Sequence, residues 1–203
     1  VIERFTFYER LVHWTVVILF VYLALTGLAF WSPQMYWLAA VFGGGESIRA
    51  WHPWVGVAFS IALLLMFFNW ARTMLLDRDD RRWLLQAHKY AIHDTESLPE
   101  AGRFNAGQKS MFWIQSVAAL LLLISGLILW WPETVARNWR LIAVVLHPSA
   151  AVISIAGVLI HIYMATAATP GSLSSMIRGT VDPNWAKSHH PKWHRENKGV
   201  RTH

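Results

Sequence analysis

The sequence predicts an all-α integral membrane protein, a bundle of four transmembrane helices. Three observations carry this reading. Of the 203 residues, 55% are hydrophobic, and the mean hydropathy is positive, which is membrane-class composition. The apolar residues gather in four runs that each reach the ~20 residues needed to cross about 30 Å of hydrocarbon. Thirteen tryptophans are present, and Trp14, Trp31, Trp51, Trp54, Trp70, Trp113, Trp130 and Trp131 cluster at the ends of those runs, as an interfacial belt does.

In chain order the spans are residues 11–31, 53–71, 111–131 and 147–169. The fourth lies inside a longer apolar run, Leu141 to Thr169. Its excess length predicts either a tilted helix or an interfacial segment that turns inward at Pro148. The first run is a full span with no small-residue cleavage site, so it does not read as a signal peptide. No linker separates a second domain, and residues 1–203 read as one domain with a loop at 72–110 and a tail at 170–203. Within that loop, WLLQAHKYAI has the pattern of a short amphipathic helix lying on a membrane surface.

Orientation follows from the basic residues. The net charge of +6 is spread between the apolar runs and forms no continuous patch, so it argues for topology and against nucleic acid as a partner. The 72–110 loop holds Arg72, Arg78, Arg81, Arg82, Lys89, Arg103 and Lys109. The tail holds Arg178, Lys187, Lys192, Arg195, Lys198 and Arg201, and the N-terminal segment holds Arg4 and Arg10. The other two loops offer only Arg49, Arg137 and Arg140. Both termini and the middle loop are therefore expected on the cytoplasmic side of a multi-pass protein.

Ten histidines remain to be sorted. His88, His93, His189, His190, His194 and His203 fall in the loop or tail, where solvated surface is the default expectation. The other four lie in or at spans, where ionisable groups are costly and usually mark function. His147 and His161 are fourteen residues apart on one helix, which is roughly 21 Å of rise and within about 40° of the same face. Depth pairs His13 with His161 on the cytoplasmic side and His52 with His147 on the outer side. Two layers of paired imidazoles on three helices suit two stacked haems, each iron held by two neutral rings. The absence of cysteine excludes thiolate-ligated haem, covalent CxxCH attachment and iron–sulfur clusters held by this chain's own thiolates. Gly27, Gly56 and Gly157 sit at related depths, which fits either close approach of a porphyrin or small-residue helix packing. The repeated His-Pro, at His52-Pro53 and His147-Pro148, is a faint sign of internal symmetry.

At these residues a resemblance becomes specific. The stretches FTFYERLVHWTVV, WHPWVGV, RFNAGQKSMFW, the two histidines of the fourth helix with its LIHIYMA ending, and WAKSHHPKWHRE run in order along nearly the whole chain. Together they resemble the gamma subunits of membrane-bound formate dehydrogenases, which are di-haem cytochromes b. Related cytochromes serve nickel–iron hydrogenases and thiosulfate or polysulfide reductases. One departure is Pro148, where a small residue other than proline is expected.

The resemblance implies that His52 and His147 bind an outer haem b and His13 and His161 an inner one. It implies that Asn105, Gly107 and Gln108 line a quinone site, for menaquinone or ubiquinone, near the inner haem. Asn and Gln can donate to a quinone carbonyl; taken alone, however, Asn-Ala-Gly before the third span reads more readily as a turn and helix start. The implied partners are an iron–sulfur subunit on the periplasmic face and a molybdenum or tungsten catalytic subunit. The implied setting is the bacterial inner membrane, in a complex that can assemble further. Electrons would run from the iron–sulfur subunit through the two haems to quinone, with no catalytic residue for formate in this chain. A histidine-based proton or metal transporter would be expected to carry carboxylates in its spans, and there are none. A purely structural anchor would need no depth-matched histidines.

Overall fold

A computed structural model describes residues 1–91 and 98–199. His93, Arg201 and His203 lie outside the described residues, as does Ile92 at the end of WLLQAHKYAI.

Among the described residues, four helices are long and apolar enough to cross a membrane. They are α1 (Phe7–Trp31), α3 (Gly45–Trp70), α6 (Ala106–Trp130) and α7 (Arg137–Tyr163), the last running on through a π-turn at Met164–Ala168. Their best windows have mean hydropathies of 1.7 to 2.2. All begin before the corresponding apolar run, because a polar first turn extends each helix. Short elements complete the chain: α2 (Leu38–Val41), α4 (Arg78–Leu85), α5 (Ala87–Ala91), α8 (Ser172–Arg178), α9 (Pro183–His189) and α10 (Pro191–Gly199). Strands β1 (Ile2–Glu3) and β2 (Thr180–Val181) pair antiparallel, Ile2 opposite Val181.

The inward turn expected as one option at Pro148 does not occur. α7 is continuous through it, and the Ser149 hydroxyl donates to the Val145 carbonyl at 2.8 Å, tightening the turn where proline removes an amide donor. The helix and its π-turn cover 32 residues, about 48 Å of rise, longer than the hydrocarbon of a bilayer. The expected loop helix is two pieces. α4 begins earlier, at Arg78, and stops at Leu85, with α5 following after Gln86.

The chain forms two compact units. The second unit comprises Leu11–Asn69 and Ile114–Ile160. Val16, Phe59 and Ala62 are buried there with Ala119 packed against them, and Ala29, Leu38, Ala39 and Ile48 form another cluster. Its outward flanks stay apolar: Ile18, Leu64, Leu120, Val145, Ile153 and Ile160 are all exposed, as residues facing lipid are.

The first unit comprises Val1–Arg10, Trp70–Trp113 and His161–His203. Reciprocal caps start its helices. Thr6 and Glu9 cap α1, with the Thr6 amide donating to Glu9 at 2.8 Å. Asp77 and Asp80 cap α4, and Asn105 and Gln108 cap α6. Each pair satisfies backbone donors that a helix start leaves unpaired. Trp70 is buried here and is not part of an interfacial belt: its indole N–H donates to Glu9 Oε1 at 2.8 Å. Arg103 donates to the same oxygen and to the Arg4 carbonyl, both at 2.8 Å.

The tail corrects the expectation for two histidines. His190 and His194 are 2% and 6% exposed, whereas His88 and His189 do lie at the surface. His190 donates from Nδ1 to the Gly102 carbonyl at 2.7 Å, so its Nε2 accepts from Arg4 Nη2 at 3.0 Å. Burial first, then the Arg4 charge, pushes the His190 ring down to about 3. Arg4 in turn is brought down to about 9 by burial and by Arg103, and its guanidinium lies 4.8 Å from the Trp185 ring, where a cation is favoured.

Candidate functional site

Two of the four span histidines are brought together within the second unit. His52 sits in the third turn of α3 and His147 in the third turn of α7. Their ring centroids are 6.4 Å apart with planes 64° from parallel. Each is followed by a proline within its helix.

The other ring nitrogen of each is fixed by a hydroxyl from a third or fourth helix. Thr26 Oγ1 on α1 lies 2.7 Å from His52 Nδ1, and Ser125 Oγ on α6 lies 2.9 Å from His147 Nδ1. Both hydroxyls already give their single proton to their own helix, Thr26 to the Tyr22 carbonyl at 2.8 Å and Ser125 to the Leu121 carbonyl at 2.6 Å. They therefore accept from Nδ1–H, and the lone pair of each imidazole is left on Nε2. Thr26 is fully buried and Ser125 nearly so.

A glycine follows each hydroxyl, and the one at Gly126 makes room for its ring. A Cβ at Gly126 would stand 3.2 Å from His147 Cε1, and one at Gly27 would stand 3.7 Å from His52 Cε1. The arrangement passes a simple test for a shared metal. Two imidazoles bound through Nε2 at about 2 Å each have centroids roughly 6 to 6.5 Å apart, in line with the separation seen. The donor set, two imidazoles oriented by hydrogen bonds at Nδ1, is one that could hold a haem iron.

His13 lies on α1 in the second unit, and His161 lies near the end of α7 in the first unit. Asn105, Gly107 and Gln108 fall in the same unit as His161. Asn105 Oδ1 accepts from the Gln108 amide at 2.9 Å and Gln108 Oε1 from the Asn105 amide at 3.0 Å, so the helix-start reading of this motif holds. Their side-chain NH2 groups are not used in that cap. A Cβ on Gly107 would be 3.6 Å from the Trp83 ring.

Thr26, Ser125 and Gly126 are site residues that the sequence reading did not single out. A signal for them was present: a hydroxyl residue followed by glycine occurs in the first span, Thr26-Gly27, and again in the third, Ser125-Gly126.

Residues 4–179 match the family described as prokaryotic cytochrome b561. The nitrate-inducible cytochrome b556(Fdn) subunit of formate dehydrogenase from Escherichia coli strain K12 is 39% identical over 202 residues, covering 96% of this chain and 91% of that subunit. The cytochrome b556(fdo) subunit of formate dehydrogenase from the same organism is 37% identical over 198 residues, covering 96% and 92%. The formate dehydrogenase cytochrome b556 subunit of Haemophilus influenzae is 33% identical over 197 residues, covering 92% and 79%. Four apolar helices, a hydroxyl-anchored histidine pair and this likeness along almost the whole chain lead to one assignment: the chain belongs to the prokaryotic cytochrome b561 family.

Proposed function

We propose that this chain is the cytochrome b subunit of a formate dehydrogenase complex, a single membrane domain that passes electrons from a periplasmic iron–sulfur partner to a quinone near the cytoplasmic side. The observation that carries the proposal is the pair His52 and His147, each with Nδ1 held and Nε2 free to ligate. The relatives named for formate dehydrogenase support this choice of partner.

His52 and His147 would hold the outer haem b, and His13 and His161 the inner one. When bound, such haems would supply one-electron transfer. The chain's part would be to fix the imidazole rings that hold each group and to exclude water from them.

The quinone residues gain support from helix register. His147 meets Ser125, and Ser154 meets Gln115 through a reciprocal pair at 2.5 and 3.0 Å. Seven residues further along α7 is His161, and seven to ten residues further back along α6 is the segment 105–108. Asn105, Gly107 and Gln108 are therefore proposed to line the quinone site beside the His161 layer. Orientation gains support from the first unit, where β1 pairs with β2, Arg103 bonds Glu9, and Arg195 ion-pairs with Glu100. These contacts knit the N-terminal segment, middle loop and tail together, which supports placing all three on one side, and the basic residues favour the cytoplasmic one.

The test is a reduced-minus-oxidised spectrum with pyridine haemochrome quantitation on purified protein, repeated for His147→Ala and His161→Ala. Two b haems per chain are expected, with each variant losing a different one. Folded protein without haem would sink the proposal.

A further inference from the structure

We propose that Lys109 is the proton donor to the quinone, held by Asp80 and recharged through the cavity beside it; the proposal rests on the quinone reading above. Lys109 follows Gln108 directly and lies in the first turn of α6. It is 8% exposed, as is Asp80. Its Nζ is 2.5 Å from Asp80 Oδ2 and 3.9 Å from Asp77 Oδ2.

A buried ion pair is a poor device for stability alone, since desolvation offsets most of the attraction. Where a static cation is wanted, arginine serves better, with a pre-organised fork that keeps its proton. Lysine carries a mobile ammonium that can give one up. The Asp80 carboxylate does not move freely, because it also accepts from the Asp77 amide at 2.9 Å. The mobile element is therefore the ammonium.

Lys109, Asn105 and Asp80 line a cavity of about 80 Å³ whose other walls include Asp77, Asp79 and Glu100. That volume holds a few waters. Asp77 and Asp79 each have about half of the side chain exposed, so the cavity leads from solvent-facing carboxylates to the buried ammonium and on to a residue of the quinone set. Arg103 and Lys192 are the other charged groups on its walls. Amide hydrogen bonds from Asp80 hold the Asp77 carboxyl below the usual carboxylate range, so the mouth stays anionic and draws protons in.

Reduction of a quinone by two electrons needs two protons, one at each carbonyl oxygen. At one oxygen an N–H bond of Lys109 breaks and an O–H bond forms, leaving a neutral amine; at the other the O–H bond forms with a proton taken from solvent water. The electrons are those of the transfer reaction proposed above. A proton carried by water past Asp77 then restores the ammonium.

The test uses the whole complex in membranes with Lys109→Arg and Lys109→Met. Arginine keeps a charge opposite Asp80 but does not release a proton in the working range. Both variants should retain haem b and its reduction by formate, read from the spectrum, while quinone reduction falls at least about tenfold and its solvent deuterium isotope effect rises. Ordinary quinone turnover in Lys109→Arg, or an unchanged isotope effect, overturns the proposal, because arginine restores a merely structural ion pair. If Lys109→Met fails to assemble, Lys109→Arg alone decides. Lack of haem b or of quinone reduction in the unsubstituted complex overturns instead the function on which the proposal rests.

Discussion

Replacing Gly126 by alanine would bring a methyl carbon to 3.2 Å from Cε1 of His147, whereas the same change at Gly27 leaves an ordinary 3.7 Å contact with His52. The two substitutions are chemically identical, yet only the first forces the ring to shift against a hydroxyl that already has both partners. Gly126→Ala is expected to disturb the spectrum of the haem proposed between His52 and His147, and Gly27→Ala to leave it nearly unchanged. Ser125→Ala, which removes the acceptor for Nδ1–H, should weaken haem retention by about tenfold or more; titration of the apoprotein with haem measures this. The histidines themselves were legible in the sequence, because an ionisable ring within an apolar run stands out by composition. Their supports were harder to see. A serine or threonine in a membrane helix usually bonds only its own backbone, and what made Thr26 and Ser125 special was a partner 26 and 22 residues away.

Elements of the first unit depend on contacts that are remote in sequence. Gly179 has φ 83°, and its carbonyl accepts from the amides of Arg4 and Phe5 at 2.8 and 3.1 Å. A left-handed conformation costs alanine roughly 1–2 kcal/mol, and a Cβ there would also stand 2.8 Å from the Phe5 carbonyl. Gly179→Ala should therefore loosen the β1–β2 junction, seen as faster limited proteolysis of the tail. Acid should loosen the same region through His190. Its docked ring is held down at about 3, against 6.5 when free, so the undocked form binds more protons between these values. Docking is at full strength above about pH 6.5 and weakens as pH falls toward 3, by about tenfold per unit. Tryptophan fluorescence of Trp185 and Trp193 between pH 7 and 4 follows this, and His190→Gln should flatten the slope. These features were not readable locally. His190 is buried by Gly102 and Arg4, which lie 88 and 186 residues away, and a terminal tryptophan such as Trp70 looks the same in sequence whether it meets lipid or Glu9. The helix starts were readable, since Asn105-x-x-Gln108 carries its cap within four residues.

For the molecule as a whole, hydropathy was sufficient to find the four long helices, because each is a single uninterrupted run. It could not decide how the fourth begins, since a proline signals a break only when neighbouring groups fail to compensate. The His-Pro repeat also gains a counterpart. A hydroxyl–glycine pair in α1 meets His-Pro in α3, and another in α6 meets His-Pro in α7, so the His52–His147 site is built twice from the same parts. The absence of cysteine makes orientation directly measurable. A single cysteine placed at Ser188, which is exposed, should be shielded from an impermeant thiol reagent in right-side-out cells. One placed at Ala40, which is exposed in α2, should react; the reverse pattern would reverse the proposed sides.

The pairing of Ile2 with Val181 has a consequence for synthesis. The N-terminal strand leaves the ribosome first, but its partner is made only after the last long helix. A chain arrested or cleaved before residue 180 would leave Arg4 without His190 and its tryptophan cage, with a buried-type cation exposed to the degradation machinery. Closure of this short clasp thus requires that translation has passed all four long helices.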